Sequence, residues 1–258
     1  MSTANRALSL SKFDWRETVN ILAGPEDDQE TFLLHRDLLC SRSDLFRAAI
    51  IGDWKEAQEK VVRLPEVNNK LFRVYVGCLY TGTVDLECAG VEVVHTDVKD
   101  EANNVFSVED QDGADDIPTK EAVEHRAMLL YNVATNAFAL GERLQDRIFR
   151  NAVMSKTAGK TGSILSNTNC FPGVDATINM AGKVSRGSPM LKFYVDAWAV
   201  DREAAHFREI GGLLPQDFVL EVACAGIEER RIHYEDRDPR YRPRCFYHEH
   251  ETDADKCT

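Results

Sequence analysis

The chain lacks a C-x-x-C pair, an Asn-x-Ser/Thr sequon and any apolar run near the ~18 residues that a membrane span needs. Its seven cysteines (Cys40, Cys78, Cys88, Cys170, Cys224, Cys245, Cys257) are odd in number and scattered, which argues against a disulfide framework. Several stand beside apolar residues, where a free thiol packs as a small hydrophobe. Positive charge is short: 31 Lys and Arg against 43 Asp and Glu leave a net charge of -12, a poor basis for general phosphate-backbone binding. Met1 to Lys12 holds no apolar stretch of signal-peptide length. The expectation is a reducing compartment, cytoplasm or nucleus, with no membrane and no nucleic acid as partner.

Catalytic signatures are also missing. There is no G-x-G-x-x-G, G-x-S-x-G or H-E-x-x-H. Ala158-Gly159-Lys160-Thr161 looks like the end of a phosphate loop, but Met154 stands where the first glycine of that loop is required. Asp110, Asp112, Asp115 and Asp116 cluster around Gly113, yet no glutamate closes an EF-hand frame, so calcium is not expected. Cys245-x-x-His248-x-His250, with Cys257 beyond, offers four zinc-type donors at a spacing that matches no known finger. Six arginines between Arg230 and Arg244 alternate with acids, the pattern of a solvated tail, although RNA contact through them and Tyr241 is an alternative. No metal, no cofactor and no enzymatic activity are expected.

What is present is an apolar pattern. The 43% hydrophobic fraction suits a globular protein. Thr18–Leu22 and Thr31–Leu34 alternate as strands around the turn residues Gly24-Pro25-Glu26-Asp27-Asp28. Ser43 is placed to cap a helix bearing Leu45, Phe46, Ala49 and Ile50. Val61–Leu64 reads as a third strand stopped by Pro65. Asn68 or Asn69 opens a helix with Leu71, Val74, Tyr75, Cys78 and Leu79 on one face, ended by Thr81-Gly82-Thr83. Between His95 and Pro118 the chain is acidic and poor in large apolar residues, which predicts a disordered loop. A helical stripe then runs from Leu130 to Gly141, which is expected to end it. Leu144, Ile148 and Ala152 start another. Further helices are expected over Pro189–Val200 and from Leu214-Pro215 onward, with Phe218, Val222 and Ala225 in phase.

The order hairpin, two short helices, strand, helix, loop, helix pair resembles a BTB/POZ domain. The residues that carry the resemblance are Val19, Ile21, Phe32, His35, Asp37, Leu38, Leu39, Ser43, Phe46, Glu56, Leu64, Phe72 and Leu79-Tyr80-Thr81-Gly82, with Leu130–Ala134 and Leu144-Gln145-Asp146 as the closing pair. The later helices are similar to the extension of many short fungal BTB proteins. No kelch repeat, zinc-finger array or channel segment accompanies them.

The resemblance implies an α+β fold: a small, mainly antiparallel sheet flanked by helices, with a helical C-terminal extension. The boundaries expected are a flexible N-terminus (1–14), the BTB/POZ-like domain (15–158, acidic insertion at about 95–119), a linker or long loop (159–188), helices (189–227) and a charged tail (228–258). It also implies a protein–protein interaction module that forms a homodimer, with Phe13, Trp15, Leu38, Leu39 and Leu45 as candidates for that interface. Trp54-Lys55-Glu56 resembles the apolar-x-Glu motif through which some BTB proteins grip a cullin scaffold, making Trp54 and Glu56 the partner-binding candidates of a ubiquitin-ligase adaptor. The alternatives are a transcriptional co-regulator and a zinc- or nucleic-acid-binding protein acting through the tail. The recruited protein is unnamed by the sequence. His35 is expected to be structural, hydrogen-bonding locally at a helix start that Asp37 complements.

Overall fold

The computed structural model describes residues 13–52, 55–89, 119–159, 162–201, 204–228, 238–243 and 245–250. Expectations that fall on residues 1–12, on Trp54, on the acidic stretch up to residue 118 and on Cys257 lie outside the described residues.

Strand β1 (Thr18–Ala23) pairs antiparallel with β2 (Glu30–His35). The hairpin turns at Gly24, where φ is 105° and a Cβ would lie 2.4 Å from the Asp28 carbonyl oxygen, so only glycine fits. Helices α1 (Arg36–Arg42), α2 (Asp44–Ile51) and α3 (Lys55–Glu59) then carry the chain back to β3 (Val61–Leu64), parallel to β1 in the order β2-β1-β3. The sheet is therefore mixed rather than mainly antiparallel, because a helical crossover brings the third strand in along the direction of the first. Period-two alternation puts Val19, Ile21, Ala23, Leu34, Val62 and Leu64 on the core face. Leu33 and Asn20, paired in register, face the other way.

Helix α4 (Asn69–Thr81) lies over that face. Asn68 caps it by accepting from Leu71 N–H at 3.1 Å, and Gly82 closes it in the left-handed region. Phe72 touches Phe32 edge-on at 4.9 Å, and Tyr75 meets Phe149 at 5.0 Å, so α4 links the sheet to the helices that follow.

Those helices are α5 (Lys120–Leu144), α6 (Arg147–Ala158), α7 (Ile164–Thr168), α8 (Val174–Ala181), α9 (Pro189–Asp201), α10 (Ala204–Ile210) and α11 (Gln216–Glu228). Helix α5 runs three residues past Gly141, against the expectation that this glycine ends it. Gly141 serves a close approach instead: a Cβ there would lie 2.7 Å from Arg150 Cγ and 3.1 Å from Phe149 Cδ1. Gln145, at φ 55°, makes the turn, and Asp146 caps α6 by accepting from Phe149 N–H at 2.8 Å.

Two further expectations are corrected. The Ser/Thr/Asn-rich stretch 159–188 is not a linker. It holds α7, with the reciprocal Ser163–Ser166 capping box, and α8, and it buries Ile164, Leu165, Ala176 and Met180. The segment read as a charged tail, where described, is docked: Tyr247 and Asp238 are buried. One continuous core joins the sheet, α4–α9, α11 and Tyr247. Among the described residues no helix is long and apolar enough to cross a membrane.

The join is polar at its centre. Buried Asp146 caps α6, accepts from Tyr75 Oη at 3.2 Å and lies 3.4 Å from the Arg42 guanidinium, itself almost wholly buried. Burial raises the Asp146 pKa above the usual aspartate range, opposed by Arg42 and by the donors from Phe149 and Tyr75. Ser43, while capping α2, donates its hydroxyl to the Leu144 carbonyl at the end of α5.

Candidate interaction surface

An aromatic cluster forms where the N-terminal residues cross the end of β2. Trp15 stands edge-on to His35 at 4.9 Å and packs beside Phe13 at 5.7 Å. His35 Nδ1 shares a 2.8 Å hydrogen bond with Tyr80 Oη, and its backbone N–H donates to the same oxygen at 3.3 Å. His35 is thus structural, as expected, but its partner comes from the far end of α4 rather than from a neighbour in sequence. Asp37 fixes the crossing segment by accepting from Asp14 N–H at 2.8 Å, and it pairs with Arg36 at 3.0 Å. The Asp14 amide is the main reason that the Asp37 carboxyl sits below the usual range, with Arg36 adding to it.

The cluster is ordered yet uncovered. Trp15 is 42% exposed, Tyr80 45%, Leu33 64% and Ile51, at the end of α2, 66%. Among the described residues β2 is an edge strand of the sheet, and the apolar Leu33 side chain stands on it. Two of the dimerisation candidates are core residues: Leu38 is 4% exposed and Leu39 0%. Phe13 and Leu45 are half-buried and pack on the core edge, which leaves Trp15 as the most accessible of the five. Glu56 lies in the first turn of α3, half-buried, shortly after Ile51. Leu33 and Ile51 were missed as surface residues. The signal was present for Leu33, which falls out of phase with Phe32 and Leu34.

A cavity of about 440 Å³ opens between the start of α5 and the ends of α6 and α7, lined in part by Leu86, Glu87, Arg126, Lys156, Ser163 and Asn167. Its acid and one of its bases neutralise each other, Arg126 lying 2.9 Å from Glu87. Among the described residues, no three His, Cys, Asp or Glu side chains converge as a metal-binding group. His248 shares a 2.8 Å hydrogen bond with Ser155, and the His248 and His250 rings are 6.1 Å apart. Of the tail arginines, Arg240 binds Asp238 at 2.9 Å and Arg242 stacks over Phe246 at 4.2 Å, so both are drawn into the fold.

Comparison with known proteins gives two findings. The family model for the BTB/POZ domain matches residues 18–105. An Arabidopsis thaliana protein described as "ARM repeat protein interacting with ABF2" is 34% identical over 56 residues. That match takes in 22% of this chain and 8% of the Arabidopsis protein, so the chain spans a small fraction of its relative's length.

Proposed function

We propose that this chain, whose residues 18–105 match the BTB/POZ domain, a family of protein-interaction modules, pairs with a second copy of itself and recruits another protein to a cullin scaffold. The exposed cluster around Trp15 supports the first part. Large apolar rings held by Asp37, His35 and Tyr80 are pre-ordered, so covering them costs little further conformational entropy. Leu33, exposed on β2 two residues before His35, extends the same surface. The Arabidopsis relative is described as interacting with ABF2, which accords with an interaction role without naming a partner here.

The cullin part rests on Trp54-Lys55-Glu56 and on Ile51, which adds an exposed apolar side chain just before that motif. An aromatic anchor with an acid at the rim suits a partner presenting an apolar pocket edged by a base. Pull-down of cullin from cell extract with wild type, Trp54→Ala and Glu56→Lys tests it. Recovery should fall with both variants, and equal recovery from all three removes the adaptor reading. Cytoplasm or nucleus is the location this role calls for.

A further inference from the structure

The docked C-terminal segment sits in its cradle as a ligand would. Among the described residues, the backbone hydrogen bonds of 238–250 to other backbone are all internal, as from His248 N–H to the Cys245 carbonyl at 3.1 Å. Side chains of α6 and α9 hold it. Asn151 grips the main chain of Glu249 twice, its Nδ2 donating to the carbonyl at 2.9 Å and its Oδ1 accepting from the amide at 2.8 Å. That contact reads the main chain whatever the side chain. Arg150 Nε donates to the Glu249 carboxylate at 2.7 Å, which reads an acid. Two residues earlier, Tyr247 enters a closed pocket, 4% exposed, with its ring edge-on to Phe193 at 5.6 Å. Its hydroxyl donates at 2.8 Å to Asp196, which is 2% exposed and would lose a partner to phenylalanine.

We infer that the cradle between α6 and α9 is a peptide-recognition groove for a segment that leaves a turn on tyrosine and carries glutamate two residues later, filled in cis by Tyr247-His248-Glu249. A partner protein displaying that pattern competes with the chain's own segment for Asn151, Arg150 and Asp196. Only residues 229–237 separate Glu228 at the end of α11 from Asp238, so the tethered segment acts at a high effective concentration and masks the groove in the resting chain. The inference is independent of cullin binding and of self-association.

The test uses the full chain and a fluorescent peptide with the sequence of residues 243–252 carrying Cys245→Ser. Wild type, Glu249→Arg and Tyr247→Ala are titrated with it by fluorescence polarisation, with folding checked by circular dichroism. Loosening the tethered copy should tighten peptide binding at least ~tenfold in both variants. Adding Asn151→Ala to Glu249→Arg should abolish that gain, and a peptide with phenylalanine in place of tyrosine should bind more weakly. Folded variants that take up the peptide no better than wild type would overturn the inference. So would unfolding of both variants, which would make the segment core, or their loss of self-association without peptide binding, which would make it an element exchanged between copies.

Discussion

Asp146 ties α1, α4 and α6 together through Arg42, Tyr75 and the Phe149 amide. Replacing it with alanine removes the α6 cap, the Tyr75 acceptor and the counter-charge of Arg42 together. We expect Asp146→Ala to lower unfolding free energy by about 3–5 kcal/mol in urea titrations, because it strands a buried guanidinium. Combining it with Arg42→Met should recover part of that loss. Gly141→Ala should cost about 1–3 kcal/mol by forcing Arg150 and Phe149 outward, although alanine is the better helix former. A neutral Gly141→Ala would mean that the α5–α6 corner yields freely. Asp37 gives a pH-dependent outcome. Its folded pKa is depressed, so its hold on the Asp14 amide is fully present above the ordinary aspartate value of ~3.9 and is lost as pH falls through the lower folded value. The Asp14 amide resonance should shift in that acidic window in wild type and stay unmoved in Asp37→Asn.

At the scale of elements, β2 and the crossing N-terminal residues form the surface that we expect a second copy to cover. Trp15→Ala should weaken self-association at least ~tenfold, as loss of a central aromatic anchor does, and leave the unfolding midpoint nearly unchanged because the ring is half exposed. The elements of this half were legible in the sequence. Strand alternation, the Ser43 and Asn68 caps and the Gly82 stop are local signals, and each appears where those residues stand. Past Thr119 the controlling forces are tertiary. Gly141 looks like a helix end unless Phe149 and Arg150 are known to press against it. Helix α7 holds only two apolar residues and α8 is interrupted by Asp175, Thr177 and Asn179, so the stretch looks like loop until burial of Ile164, Leu165 and Met180 is seen. The tail's charges suggested solvation, yet Arg150 and Asn151, about 100 residues earlier in the chain, are what satisfy Glu249. Of the candidate surface, Trp15 was legible as an aromatic beside the first strand. Its exposure and the burial of Leu38 and Leu39 were not, because spacing within a short helix does not say which side a neighbouring element covers.

For the whole molecule, the continuous core predicts one cooperative transition. Far-ultraviolet circular dichroism and the fluorescence of Trp198, buried in the helical half, should report coincident urea midpoints, and two separated transitions would show that the halves fold independently. The ordered, exposed cluster around Trp15 is the surface through which this chain is expected to meet protein partners. Sedimentation velocity of the intact chain over a wide concentration range tests that most directly. The predicted result is a species of twice the chain's mass that dissociates on dilution, with Trp15→Ala shifting the midpoint to higher concentration. A monomer at every concentration, the same with and without Trp15, would mean that this surface pairs no second copy.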